Sequence, residues 1–365
     1  MRVDTGSLAE VLKRRVRGEV RFDAGSRALY STDSSNYRQV PIGVVLPRDA
    51  NDVVEAVAAC RRFHAPVLSR GGGTSLAGQC CNVAVVLDMS KYMGELLEVD
   101  PAAKQARVQP GVVLDFLRNA AEQHHLTFAP DPSTHGRCTL GGMIGNNSCG
   151  THSLMGGNTV DNVEELEVLT YDGLRLKVGR TTDDGLEAII HQGGRRGEIY
   201  SGLKALRDEY GGWVRQRFPR IPRRISGYNL DQLLPENGFN VARALVGTEG
   251  TCVTVLEARL RLVDSPVARS LVVLGYPDCF QAADQVMDIL PHHPIALEGI
   301  EEGIISYLRR HSMYGAEIEL LPEGGSWLFA EFGGATREEA NDKAQALMAA
   351  LEGRPGAPHL KLLDD

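Results

Sequence analysis

Two glycine-rich runs hold the residue types best suited to chemistry. The first is Pro66-Val-Leu-Ser-Arg-Gly-Gly-Gly-Thr-Ser-Leu-Ala-Gly-Gln79, which leaves a short apolar strand. Bare backbone after a strand can turn several amides toward one anion. Arg70 adds a cation, and Thr74 and Ser75 add hydroxyl donors, so a diphosphate suits this run. Two familiar phosphate loops do not fit it. A Walker A loop has lysine and a hydroxyl after its last glycine, but Gln79 and Cys80 follow Gly78. A nicotinamide-dinucleotide fingerprint has a third glycine and then a helix, but Leu76 takes that place and a strand follows.

The second run, Pro130-Asp-Pro-Ser-Thr-His-Gly-Arg-Cys-Thr-Leu-Gly-Gly-Met-Ile-Gly-Asn-Asn-Ser-Cys-Gly150, is rich in turn residues and nearly uncharged. Long irregular segments inside globular chains are usually functional. Its amides, with Ser133, Thr139, Asn147 and Ser148, are expected to line an extended ligand that is partly polar and partly apolar. His135 and His152 bracket the run, and His135 is the histidine best placed for proton transfer. Residues 71–78 and 136–157 together hold 11 of the 40 glycines, and such clustering calls for tight turns or close approach to a ligand.

The elements that position these runs follow from periodicity. Residues 1–40 read as a helical lead-in, with Leu8, Val11 and Leu12 on one face, followed by loop. From Pro41 the pattern gives a strand at 42–46 and a helix capped by Asp49, with Val54, Val57, Ala58 and Arg61 in period. Strands are expected at 66–69 and 83–89, a hairpin at 96–99 with 106–109, and a helix over 112–123. Asp172-Gly173 turns a second hairpin, a helix covers 199–210, and 219–240 carries loop chemistry. The strand at 253–263 changes apolar phase between Val255 and Leu256, which predicts a bulge. After Asp264-Ser-Pro266 the strands at 271–274, 295–299 and 327–332 alternate with helices at 280–290 and 337–351 in a ferredoxin-like order. A further strand begins at His359, and this region reads as an incomplete domain.

Composition narrows the function classes. The 365 residues are 43% hydrophobic and 24% charged, which excludes a disordered or fibrous chain. A net charge of −8 argues against a protein whose whole surface binds nucleic acid. The longest aliphatic run, Val83 to Leu87, is far short of a membrane span, and the first residues lack an apolar signal core. A cytoplasmic protein is expected, with basic patches that allow peripheral contact with a membrane surface. Seven cysteines with no C-x-x-C pair suit reduced thiols, with no metal site and no disulfide framework.

Five segments in order, RGGGTSLAGQ, PDPSTHGRCTLGGMIGNNSCG, TVDNVEELEVLTYDG, GYNLDQL and LVGTEGT, resemble FAD-binding (PCMH-type) domains of the vanillyl-alcohol oxidase superfamily. The resemblance is to its D-lactate, glycolate and D-2-hydroxyglutarate dehydrogenase branch, and it covers residues 41–264. It implies an α+β fold: a two-lobed FAD domain over 41–264, followed by a partial ferredoxin-like substrate cap over 265–365. By resemblance, Arg70, Gly71, Gly72, Gly73, Thr74, Ser75, Gly78 and Gln79 form the pyrophosphate loop. Ser133, Thr139, Gly141, Gly142, Ile144, Asn147, Ser148 and Gly150 hold the rest of the flavin nucleotide. Val160 and Asn162 lie by its nucleotide end, and Glu249 and Gly250 close the site. Relatives with covalent FAD often carry histidine where Thr74 stands here, so the FAD is expected to be non-covalent.

The activity implied is hydride transfer from a D-2-hydroxy acid to FAD, with electrons passing to a quinone, an electron-transfer flavoprotein or an iron–sulfur module. Such a substrate needs a cation for its carboxylate and a group that takes its hydroxyl proton. Arg223, Arg224 and Tyr228 of RRISGYNLD lie in a segment that is near the flavin in relatives, so Arg224 and Tyr228 join His135 as catalytic candidates. The branch's H-x-G-x-G-N-x-H run and cysteine-rich modules are missing before Asp365. Two alternatives therefore stand beside the dehydrogenase: a truncated FAD-binding subunit without turnover of its own, and an NADPH-dependent flavin reductase of the same fold.

Overall fold

A computed structural model describes residues 3–364. Contacts divide the chain into two units: residues up to Cys149 with Asn158–Val263, and Gly150–Gly157 with residues from Asp264 onward.

The first unit contains two large sheets. One has the strand order Glu19–Arg21, Gly43–Leu46, Val85–Asp88, Val67–Arg70. The last three strands run parallel, and the first is antiparallel to its neighbour. Val85, Val86 and Leu87 have no exposed surface, as befits a parallel strand covered on both faces. Helices Thr5–Arg15 and Ala50–Arg62 pack together over this sheet. Leu8 and Leu12 are fully buried there, so the lead-in belongs to this core. The buried stripe of Ala50–Arg62 is Val53, Ala56, Val57, Ala59 and Cys60, rotated from the expected Val54, Val57, Ala58 and Arg61. The rotation follows from two partners, the sheet and the first helix, together with an inward Asp52. That carboxylate, 2% exposed, accepts hydrogen bonds from the amides of Arg17, Gly18 and Arg48, each at 2.9 Å.

The second sheet is antiparallel, in the order Leu96–Asp100, Gln105–Val108, Thr254–Arg261, Val163–Leu169, Arg175–Gly179. The phase change at Leu256 is a bulge: Val255 pairs with Val168 and Glu257 with Glu167, which leaves Leu256 extra and buried. Helix Gly194–Arg217 runs well past the expected 199–210. Gly211-Gly212 does not stop it, because Gly211 packs where a Cβ would lie 3.2 Å from Leu234 Cδ2. A helix at Asp183–Gln192, capped by Thr182, was not expected, because Asp-Asp-Gly reads as a turn. The second glycine run also departs from expectation. It contains the helix Leu140–Asn146, ended by Asn147 in the left-handed region at φ 50°.

In the second unit an antiparallel sheet has the order Ala296–Glu301, Ser326–Gly334, Ala268–Tyr276, His359–Leu363. With Arg337–Leu351 and the helices after Tyr276 this is the ferredoxin-like β-α-β-β-α-β order. Ala340, Ala344, Leu347 and Leu351 bury one face of Arg337–Leu351. The expected helix 280–290 breaks into Cys279–Asp284 and Val286–Ile289, and an unexpected amphipathic helix, Glu302–Arg310, lies between the strands Ala296–Glu301 and Ser326–Gly334. The Tyr276 hydroxyl is buried without a hydrogen-bond partner, and burial pushes its phenol up to about 12. Tyr276→Phe removes an unsatisfied polar atom and is expected to stabilise the protein by about 1 kcal/mol. A urea midpoint that falls in the variant would contradict this.

Candidate cofactor site

The first glycine run leaves Val67–Arg70 at the edge of the parallel sheet. Arg70 does not serve as a free cation there. Its guanidinium donates to the carbonyls of Tyr30, Thr32 and Cys80 and lies over the Tyr30 ring, 5.3 Å from its centre. Burial and the neighbouring Asp88 carboxylate raise the Tyr30 phenol well above its ordinary range. The Cys80 amide in turn donates to Asp33. Burial alone would raise that carboxyl, but hydrogen bonds from Ser35 and Cys80 hold it below its usual value. Arg70 and Asp33 thus brace both ends of the loop.

The glycines are bare because the second run passes over them. A Cβ on Gly71 would stand 1.9 Å from Thr139 Oγ1, and one on Gly72 would stand 2.2 Å from the Arg137 carbonyl oxygen. Gly141 packs on Pro110, where a Cβ would stand 2.7 Å from the Pro110 Cβ. Gly142 and Gly145, by contrast, meet nothing closer than 3.5 Å and leave backbone open. From the other side, Gln79 Nε2 donates to Glu249 Oε1 at 3.3 Å. Glu249 and Gly250 take φ of 53° and 71°, in the left-handed region that turns this wall inward.

These approaches line a cleft in the first unit. Of the expected residues it brings together Gly71, Ser75, Gln79, Thr139, Gly141, Gly142, Ile144, Glu249 and Gly250. Ser69, Cys80, Met89, Pro110, Gly145, Asn146, Leu245, Thr248, Val253 and Val255 join them, and the sequence reading did not name these. Gly145, Asn146 and Thr248 sit inside quoted motifs and were findable; Met89 and Pro110 carried no local signal. The lining has no lysine or arginine, and its one charged residue is Glu249. An anionic ligand here must be held by backbone amides and hydroxyls rather than by the cation expected of Arg70.

Other expected residues lie behind the lining or away from it. Gly72, Gly73 and Gly78 shape the first loop; Gly73 and Gly78 have φ of 67° and 83°, and the Gly73 carbonyl accepts from the Ser34 amide. Thr74 and Ser133 do not line the cleft. Asn147 Oδ1 accepts from the Val160 amide, and the Ser148 carbonyl accepts from the Thr159 hydroxyl. Asn162 is fully buried and accepts from Arg261. Gly150 falls in the second unit. Val160 and Asn162 are therefore interior residues that shape the unit. His135 is exposed, its Nδ1 2.8 Å from an Asp115 carboxylate oxygen, and is not among the cleft residues. Arg224 donates to Asp231 at 2.6 Å and stacks on Phe218, while the Tyr228 hydroxyl is 2.7 Å from that of Thr251. Both line a separate groove along 218–230.

Two buried polar atoms test whether a nucleotide fits. Thr139 is a lining residue whose Oγ1 is buried without a hydrogen-bond partner, and Asn147 Nδ2, outside the lining, has none either. Buried polar atoms without partners are rare, and a ligand in the cleft is the candidate partner for Thr139. Thr139→Val keeps the shape and removes the hydroxyl. It is expected to leave the apoprotein as stable and to weaken FAD binding about tenfold. Unchanged affinity in a fluorescence titration would show that this hydroxyl does not face the cofactor.

An α+β unit with two large sheets, closed over a cleft of bare backbone and one orphaned hydroxyl, defines a nucleotide-cofactor-binding protein. Residues 41–179 match the FAD binding domain family. That match supports FAD as the cofactor. It is 32% identical over 345 residues to a D-2-hydroxyglutarate dehydrogenase of Pseudomonas putida, which covers 92% of this chain and 34% of that protein. It is 38% identical over 181 residues to glycolate oxidase subunit GlcD of Escherichia coli, covering 48% of this chain and 36% of that one. The chain thus spans about a third of the length of these relatives. A solved alkyldihydroxyacetonephosphate synthase superposes with a TM-score of 0.67 at 15% identity, over 97% of this chain and 61% of that one, and shares the fold.

Proposed function

We propose that this chain is the flavin-binding part of an oxidoreductase acting on a D-2-hydroxy acid of the lactate, glycolate or 2-hydroxyglutarate type. The observation that carries the proposal is the cleft itself: both glycine runs line it, it offers amides instead of cations, and Thr139 Oγ1 awaits a partner. The names of the relatives supply the substrate class. When bound, FAD supplies a hydride acceptor.

The protein's share is binding, orientation and proton handling. Gly71, Ser75, Gly142 and Gly145 hold the nucleotide without covalent attachment. The first-loop residues Gly72, Gly73, Thr74 and Gly78, with Ser133, Ser148 and Gly150 of the second run, are proposed to support it. Arg224 is assigned to the substrate carboxylate and Tyr228 to its hydroxyl proton. Thr251, two residues beyond Glu249, holds the Tyr228 hydroxyl beside the cleft wall. His135, engaged by Asp115, is given no role. Residues 41–264 would form the FAD domain and 265–365 the substrate side. Electrons would pass to a quinone, an electron-transfer flavoprotein or an iron–sulfur module, in the cytoplasm. No helix among the described residues is long and apolar enough to cross a membrane.

A second reading, a flavin-binding subunit without turnover of its own, is favoured by one observation. Arg224 is already neutralised by Asp231, so the groove lacks a demonstrably free cation for a carboxylate. Anaerobic mixing of the FAD-loaded chain with a panel of D-2-hydroxy acids separates the two. Bleaching of the flavin supports the dehydrogenase, and a persistently oxidised spectrum supports the subunit. Bleaching by NADPH instead would move the assignment to a flavin reductase. Acid precipitation is expected to release the yellow colour into solution.

A further inference from the structure

Helix Gly194–Arg217 buries Gly197, Tyr200, Gly211 and Val214 and turns another face to solvent. Leu206, Tyr210 and Trp213 form an exposed apolar stripe there, and Arg217 ends it. Their spacing of four, three and four residues places them on one face. Trp213 is 65% exposed, and the Arg217 guanidinium lies over its ring at 5.3 Å.

Charge along the same stretch becomes one-sided after Asp208 and Glu209, which stand exposed on the same helix. Residues 210–230 contain five arginines and no aspartate or glutamate, in a chain of net charge −8. Two of the five are neutralised, Arg215 by Glu236 and Arg224 by Asp231. Arg217 and Arg220 have no ion pair among the described residues and keep their charge at the surface.

We propose that the helix face from Leu206 to Arg217, with Arg220 just beyond it, docks on an anionic lipid surface. An indole at a helix end suits the headgroup level, aliphatic side chains suit the acyl boundary, and arginines suit an anionic leaflet. Nucleic acid fits less well. Its single strands want successive aromatic platforms, whereas this face sets the aliphatic Leu206 beside Tyr210 and Trp213. This docking does not depend on the flavin reading.

The test uses the full chain with vesicles of phosphatidylcholine alone or with added phosphatidylglycerol. Binding is expected only to the anionic vesicles, and to fade at high salt. The chain has two tryptophans, and Trp327 is buried, so brominated acyl chains should quench Trp213 alone. Arg217→Gln with Arg220→Gln should weaken partitioning about thirtyfold, at about fivefold per arginine. Three results would overturn the proposal: no binding to anionic vesicles at low salt, pelleting without quenching, or a gel shift with single-stranded oligonucleotide in place of vesicle binding. The quenching measurement uses the unaltered protein and holds even if the double variant misfolds.

Discussion

Gly72→Ala is expected to lower FAD affinity at least about a hundredfold, near 2.7 kcal/mol. The new Cβ would lie 2.2 Å from the Arg137 carbonyl oxygen and 3.1 Å from its carbon. Both atoms are backbone, so no rotamer change relieves the clash. The two glycine runs must separate, and the cleft they line opens with them. Titration of apoprotein with FAD, followed by flavin fluorescence, reads the loss. Gly71→Ala is the informative control. Its Cβ meets a side chain, Thr139 Oγ1 at 1.9 Å, and with Thr139→Ala the nearest remaining contact is Thr139 Cβ at 3.1 Å. That double variant should recover much of the melting temperature that Gly71→Ala alone loses, whereas no side-chain truncation rescues Gly72→Ala. Wild-type FAD binding by Gly72→Ala would mean that the runs do not approach as described.

The second large effect is on stability. Asp52→Ala should cost about 4 kcal/mol, because three backbone amides lose their buried acceptor together. Oδ1 accepts from Arg17, and Oδ2 accepts from Gly18 and Arg48. Asp52→Asn keeps one oxygen and turns an NH₂ group toward an amide, so roughly half the loss is expected. These amides lead into Glu19–Arg21 and follow Gly43–Leu46, two strands of the sheet whose far edge starts the first glycine loop. A urea denaturation in which Asp52→Ala loses less than about 1 kcal/mol would show that water replaces the carboxylate at no cost.

Local chemistry was readable where a residue's own neighbours along the chain decide its state. Asp49 caps its helix because an aspartate side chain reaches amides two and three residues on. The bulge at Leu256 follows from an apolar phase change within one strand. The hairpin at Asp172-Gly173 forms where Gly173 takes φ 96°. Errors came where a distant partner decides. Gly211-Gly212 looks like a helix end until Leu234 packs on it. Arg70 looks like a phosphate ligand until the carbonyls of Tyr30, Thr32 and Cys80 surround it.

From the sequence alone came the two bare runs, their exclusion from Walker and nicotinamide-dinucleotide loops, the alternation that makes an α+β chain, and the flavin resemblance. Only the folded chain showed that these runs are bare for each other as much as for a ligand. It also showed that Met89 and Pro110 complete the cleft, and that no cation lines it. Glycine content and hydrophobic period are properties of adjacent residues. Which neighbour leaves no room for a Cβ on which glycine depends on how two sheets, built from segments over 150 residues apart, close on one another.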